Sequence, residues 1–474
     1  MIVLFAIVTL IASGLAFFVR KQEINHGIVI LFTLCSIAFN FYEYLHIDEV
    51  QLNMIKPDAL GLIFLAIISV LGFFTAIHYR TYANKKKETD RTVSIHNSVY
   101  ILFLAALAGV NLSNNFGLMW AFIEGTTLTG AVLIYHDRDK LALEAVWKYV
   151  FVCSVSITLA FAGILFLSVA AQGTNSVDFQ FDSIRALAEQ MNPTWLKVSF
   201  LFILTGFSVK MGVFPMFNVD IDAKDMSPSP IGALFSSVLL NAGFLAIFRF
   251  YAAFSGTSIQ GWMHNVLIIT GVLSILFSAA YLIRVKNYKR ILAYSSMEHA
   301  GLILLAVAMG KAGYVAALLH IIFHSLVKSS LFYQIDQVHR FFQSKMDGLA
   351  GGYFYKNPVG GFVLILALLS VVALPPSGLF ISEFLIFKSF ISTGHIGLSI
   401  GVMLLLTLIM FNLSKSIFRL LFIVPKGVEE PQISSVSPWE SGSQLILLAA
   451  SIYLGMVRPD FFMGFIEQAL QIIP

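Results

Sequence analysis

The sequence predicts an all-α polytopic membrane protein, and three observations carry that prediction. Hydrophobic residues make up 58% of the chain and charged residues only 12%, about half the ~25% charge of ordinary soluble domains. The mean hydropathy is +0.84. Apolar runs recur along the whole chain, long enough for helices of ~20 residues that cross a membrane and far too long for barrel strands of ~10. A water-soluble enzyme, a disordered chain and a nucleic-acid binder are thereby excluded. The formal charge is +4 over 474 residues, and no basic run is long enough to follow a phosphate backbone. Cys35 and Cys153 both lie in apolar stretches. Two thiols cannot frame a disulfide scaffold or hold an iron–sulfur cluster, which takes about four.

Taken in order, fourteen spans are expected, near 1–19, 26–48, 58–79, 95–113, 115–136, 145–171, 195–217, 229–253, 263–284, 290–310, 312–335, 358–392, 398–423 and 442–470. The first has Arg20 and Lys21 after its apolar core and no small-residue cleavage site before them, so it reads as a retained helix rather than a signal peptide. The polar stretch 172–194 reads as an external loop with a short helix. Loops after odd-numbered spans carry 18 Lys and Arg, from Arg20 and Lys21 to Lys356 and Lys426, against 4 in the even-numbered loops. Positive charge stays in the cytoplasm. Both termini are therefore expected outside, with the chain in the inner (cytoplasmic) membrane.

Two spans contain proline. One reads Phe207-Ser208-Val209-Lys210-Met211-Gly212-Val213-Phe214-Pro215, and the other has Leu374-Pro375-Pro376-Ser377-Gly378 ahead of Glu383. Proline breaks helices, and broken backbone at membrane depth is tolerated only inside protein or beside a wet cavity. The breaks fall in the seventh and twelfth spans, five apart, each beside an ionisable residue. Matched interruptions point to an ion site between repeats. The expected organisation is three N-terminal helices (1–94), a first five-helix repeat (95–253), a second, inverted five-helix repeat (254–424) and a C-terminal helix (425–474). Ordinary proline kinks remain the alternative.

Ionisable residues inside spans are costly and usually functional. Glu124 lies in the fifth span and Lys210 just before the first break. His320, His324 and Lys328 follow at i, i+4, i+8 and form one stripe of a helix. Glu298 and His299 are adjacent, and Glu383 and Lys388 share the second broken span. A lysine buried alone sheds its proton, while a carboxylate nearby holds the proton on. A series of Glu, Lys and His in wet helix interiors is therefore a proton relay with switchable members. The bland alternatives stay open. Glu124 and Lys210 can be a static ion pair, the histidines can be hydrogen-bonded packing residues, and Lys148 and Arg249 can snorkel from span ends. No third metal ligand is evident beside His320 and His324, so no metal site is expected.

At this point several segments resemble one family. They are Trp120–Glu124 with Lys148; Val209-Lys210-Met211 with Phe214-Pro215, Asp220 and 227–234; Lys289-Arg290-Ile291-Leu292-Ala293-Tyr294-Ser295-Ser296; the His320/His324/Lys328 stripe; and Gly378-Leu379-Phe380-Ile381-Ser382-Glu383-Phe384. Together they resemble the antiporter-like, proton-translocating membrane subunits of respiratory complex I and the Mrp antiporters. In appearance they are most similar to the membrane subunits of hydrogenase-4 and formate hydrogenlyase type complexes. The resemblance implies two inverted five-helix repeats, broken seventh and twelfth helices and a polar axis along the membrane plane. By it, Glu124 and Lys210 match a switching pair, His320, His324 and Lys328 a central relay, and Glu383 the exit-side residue. Lys148, Glu298, His299 and Lys388 stand as accessory positions.

Two departures from the family pattern stand out. Many members carry Lys or His on the eighth helix after a Ser-rich run, whereas here Ser236-Ser237-Val238-Leu239-Leu240 is followed by Asn241. Asparagine can order water but cannot carry a proton. Nor does a long C-terminal extension follow the last span, unlike in the distal member of the family. There is no Rossmann fingerprint, P-loop or cluster-binding cysteine set, so no cofactor is expected and redox chemistry falls to partner subunits. The expected function is an ion-translocating, most simply proton-translocating, subunit of a complex I-like redox or hydrogenase assembly. Its expected partners are other membrane subunits, peripheral redox or hydrogenase subunits and the lipid bilayer. A cation/proton antiporter subunit, an inorganic-carbon uptake module and a non-pumping scaffold are the rival readings.

Overall fold

A computed structural model describes residues 1–474 except 48, 50, 51, 53, 173–177, 347, 426–435 and 474; Lys426 of the loop-charge pattern lies outside the described residues. The chain is helical throughout, and among the described residues the only extended pairings are isolated bridges. Among the described residues, eleven helices are long and apolar enough to cross a membrane, or twelve if one bent pair counts as a single span. The expectation of fourteen is thus met only in its coarser form. The first apolar segment folds as Ile2–Phe18, 17 residues, and the twelfth splits into Pro358–Val371 and Gly378–Ser392. The last splits into Gly442–Met456 and Asp460–Leu470, where Arg458 takes a positive φ of 47° ahead of Pro459. Within the polar stretch 172–194, the expected short helix forms at Phe181–Leu187.

Local sequence sets the helix starts. Asp58, Thr89, Asn115, Asp139, Asn192, Asn287, Asn357 and Ser377 each cap the following helix through a side-chain oxygen, as short polar residues do where the first N–H groups lack partners. Asn192 and Asn357 are followed by proline at the first helical position, where its missing N–H costs nothing.

The chain forms two compact units: residues 1–228, 238–266 and 464–474 in the first, residues 229–237 and 267–463 in the second. In the first unit the helices Lys140–Ala170 and Pro193–Met211 pack closely. A side chain at Gly206 would lie 2.5 Å from Ala160 and 2.6 Å from the Ser156 carbonyl, and Ser199 donates to the Gly163 carbonyl at 2.7 Å. Small residues with interhelical hydrogen bonds hold helices together where lipid supplies no hydrophobic drive. In the second unit Tyr288–Ala308 lies against Tyr314–Phe342, and Gly301 crosses Gly271 with backbone nearly touching backbone. The most apolar stretch of Tyr288–Ala308 is 100% buried and that of Tyr314–Phe342 is 94% buried. Both carry ionisable side chains, so those charges face protein rather than lipid.

Candidate functional site

The first break builds the surroundings of Lys210. The helix Pro193–Met211 ends one residue later at Gly212, whose φ is +71°. Glycine is required there twice over, because a Cβ would also fall 2.5 Å from Asp220 Oδ2. Asp220 and Lys224, on the following helix Asn218–Met226, form a buried ion pair. The Lys210 side chain is 1% exposed and donates to the Tyr149 hydroxyl at 3.1 Å, with the ring of Tyr149 5.0 Å from its ammonium. Across from it, half-buried Glu124 accepts from Thr127 Oγ1 at 3.2 Å and from Ser154 Oγ at 3.3 Å. No ion pair within 4.0 Å joins Glu124 to Lys210 among the described residues. Lys148 is exposed and pairs with Glu144 one turn away at 2.5 Å. Asn241 is buried on the helix Ser229–Phe254, just after a π-helical turn at Phe235–Leu239. Gly243 of that helix lies so close to the broken helix end that a Cβ would sit 2.5 Å from the Met211 nitrogen and 2.8 Å from the Lys210 carbonyl carbon.

In the second unit the histidines form a connected set. His299 Nδ1 is 3.0 Å from His320 Nε2, and His320 Nδ1 is 3.0 Å from Ser382 Oγ on the second broken segment. The His299 ring also lies 5.2 Å from that of His324. Its Nδ1 is 3.5 Å from Glu298 and 3.9 Å from Glu383. His299, expected only as an accessory, is therefore the hub of this cluster. His299, His320 and Glu383 bring ligand atoms within 4.8 Å of one another, a third group that sequence spacing around His320 and His324 could not reveal. The direct 3.0 Å His–His contact is the geometry of a proton-sharing hydrogen bond. Lys328 is fully buried and donates to the Leu292 carbonyl at 3.1 Å, and its neighbour Ser329 donates to Ser237 at 3.2 Å. Glu298 and Glu383 line one narrow cleft together with Ser295, Val371 and Met410. Lys388 is exposed, on a different face of its helix from buried Ser382 and Ser389.

Sequence reasoning missed Tyr149, Ser154 and Ser382 as site residues. Each is a hydroxyl in an apolar run, and nothing local separates a hydroxyl that serves a buried charge from one that bonds its own helix.

Residues 113–410 match the family described as NADH:quinone oxidoreductase/Mrp antiporter, TM. The chain is 31% identical over 411 residues to the hydrogenase-4 component F homolog of Methylacidiphilum infernorum (isolate V4), covering 84% of this chain and 85% of that one. Its fold is similar to a chain of the archaeal membrane-bound sulfane sulfur reductase, with TM-score 0.87, 21% identity and coverage of 100% and 97%. It is also similar to a chain of the Mrp complex from Dietzia sp. DQ12-45-1b, with TM-score 0.86, 16% identity and coverage of 99% and 97%.

Proposed function

The chain belongs to the NADH:quinone oxidoreductase/Mrp antiporter membrane family, and from that premise we propose that it is a proton-translocating membrane subunit of a complex I-like redox or hydrogenase assembly. The observation that carries this reading is the separation of charges at the first break. Lys210 is buried and held by a neutral phenol, while Glu124 is held by two hydroxyls of its own. A static structural pair would place ammonium against carboxylate, because breaking such a pair inside a protein costs ~3–5 kcal/mol. A pair that closes and opens can load and release a proton, the carboxylate favouring the charged amine when near and releasing it when away. The relay then runs through Asn241-ordered water to His320, His324, His299 and Lys328, and leaves by Glu383 and Glu298. Lys148 and Lys388, exposed at helix surfaces, serve at most the access points.

In this reading the chain spans the cytoplasmic membrane fourteen times, as two inverted five-helix repeats with both termini outside. It sits among other membrane subunits, and peripheral redox or hydrogenase subunits supply the energy. The test is transport by the assembled complex in proteoliposomes. Glu124→Gln and Lys210→Met should each abolish most proton movement while native gels show an intact complex. Normal transport by both variants would leave the static pair as the better reading.

A further inference from the structure

At the end of the helix Ala59–Lys86, well away from the relay, side chains from two segments converge on one ammonium. Lys86 Nζ lies 2.5 Å from Asp137 Oδ1 and 3.3 Å from Glu88 Oε1. The same Glu88 oxygen is 3.3 Å from His136 Nε2. The His136 side chain is 2% exposed, and its buried Nε2 faces the Glu88 carboxylate without a hydrogen bond of good geometry, so a ligating nitrogen is aimed into the cluster. One ligand atom each from Glu88, His136 and Asp137 lies within 4.8 Å of the others.

The spacing fits a small cation. Two metal bonds of about 2.0–2.1 Å at a tetrahedral angle set their ligand atoms about 3.4 Å apart, and the His136–Glu88 pair is already at 3.3 Å. The charges fit as well. Two carboxylates around one ammonium leave a negative charge over, which a divalent cation in the ammonium's place would cancel. Lys86 is 42% exposed on a flexible stem and can swing out, whereas the His136 side chain is 2% exposed and held by burial.

We propose that Glu88, His136 and Asp137 form a binding site for one borderline divalent cation of the zinc class, with water as the fourth ligand and the Lys86 ammonium as a built-in competitor. One imidazole and two carboxylates suit zinc, whereas calcium and magnesium take six or more oxygens. His136 and Asp137 directly follow the helix Phe116–Ile134, which carries Glu124, and Glu88 lies in the turn after Ala59–Lys86. A bound metal therefore clasps that turn to the end of the Glu124 helix, in place of a lysine contact that opens freely.

The site goes beyond the proposed function, and its readout does not depend on proton movement. The full-length chain, purified in mild detergent without a histidine tag, is titrated with Zn2+ by calorimetry and with Co2+ by visible absorption. The wild type should bind one equivalent, with the intense absorption of a tetrahedral Co2+ site. His136→Gln should weaken binding at least tenfold. Lys86→Met, which deletes the competitor and no ligand, should tighten it severalfold, a gain that damage to the fold cannot produce. Absence of binding by the wild type, binding that survives His136→Gln, or a Lys86→Met protein that binds no more tightly overturns the proposal.

Discussion

The contact most open to a sharp test is the approach of Gly243 to the broken end of the Lys210 helix. Alanine there would put a methyl 2.5 Å from the Met211 nitrogen and 2.8 Å from the Lys210 carbonyl carbon. Ordinary contact begins at 3.4 Å, so one backbone must retreat by about 0.9 Å. The struck atoms are main chain, and no rotamer change can absorb the overlap. Overpacking of this kind costs ~1–3 kcal/mol, against which Gly→Ala returns up to ~1 kcal/mol of helix propensity. Retreat on the Lys210 side would lengthen its 3.1 Å bond to Tyr149 toward 4 Å, past any useful hydrogen bond. Gly243→Ala should therefore lower the thermal midpoint of the purified chain and cut proton movement by the reconstituted complex severalfold. The matching control is Gly401→Ala, in the helix Ile396–Phe422, where a Cβ meets nothing within 4 Å; it should be neutral or slightly stabilising. If Gly243→Ala matches the wild type in both midpoint and transport, helix contact does not fix the position of Lys210 and the reasoning fails.

Three further outcomes are expected. A single cysteine placed between residues 85 and 91 should react with an impermeant maleimide only from the cytoplasmic side, and labelling of intact cells from outside would reverse the proposed topology. Asp336 is buried beside Arg340 at 2.9 Å, and Arg340 also holds Glu440 at 2.7 Å. Arg340→Met should therefore destabilise by ~3–5 kcal/mol by stranding a buried carboxylate, and adding Asp336→Asn should recover part of that loss in thermal melts. Asn241→Leu, which replaces a buried amide with an aliphatic group, should block coupled proton movement while Asn241→Lys is tolerated; a fully active Asn241→Leu protein would remove Asn241 from the relay.

The legible part of this protein lay in strong, local signals. Pro215 and the Pro375-Pro376 pair marked both helix interruptions, and the structure stops its helices at Met211 and Val371. The i, i+4, i+8 stripe placed His320, His324 and Lys328 on one face of a helix, which the structure almost wholly encloses. Other features were not legible because they depend on partners far away in the chain. Tyr149 is 61 residues from the lysine it serves, and Ser382 is 62 from His320. The central place of His299 emerges only once three helices meet. Pro459 is a different case. It stood in plain view, but the apolar residues on either side made 442–470 read as one span, and hydropathy concealed a break that backbone chemistry dictated.

The two breaks also explain why charge resides where it does. A helix end exposes backbone groups with no partner inside the helix, and their partial charges favour cations at the C-terminus and anions at the N-terminus, by ~0.3–1 kcal/mol within the terminal turn. Lys210 is the penultimate residue of its helix, inside that turn. Glu383 follows the N-terminus of Gly378–Ser392, capped by Ser377, although as the sixth residue it lies in the second turn and feels less of the field. An uninterrupted helix would put Lys210 against paired carbonyls and give a buried ammonium nothing beyond Tyr149. Ending the helix at Gly212 puts Lys210 in the C-terminal turn, whose partial negative charge favours a cation without adding a full negative charge. That is the balance a switching lysine requires. A permanent carboxylate partner would lock the proton in place, whereas a fractional charge at a helix end favours the amine only weakly and, in the proposed relay, leaves its protonation to be set by Glu124.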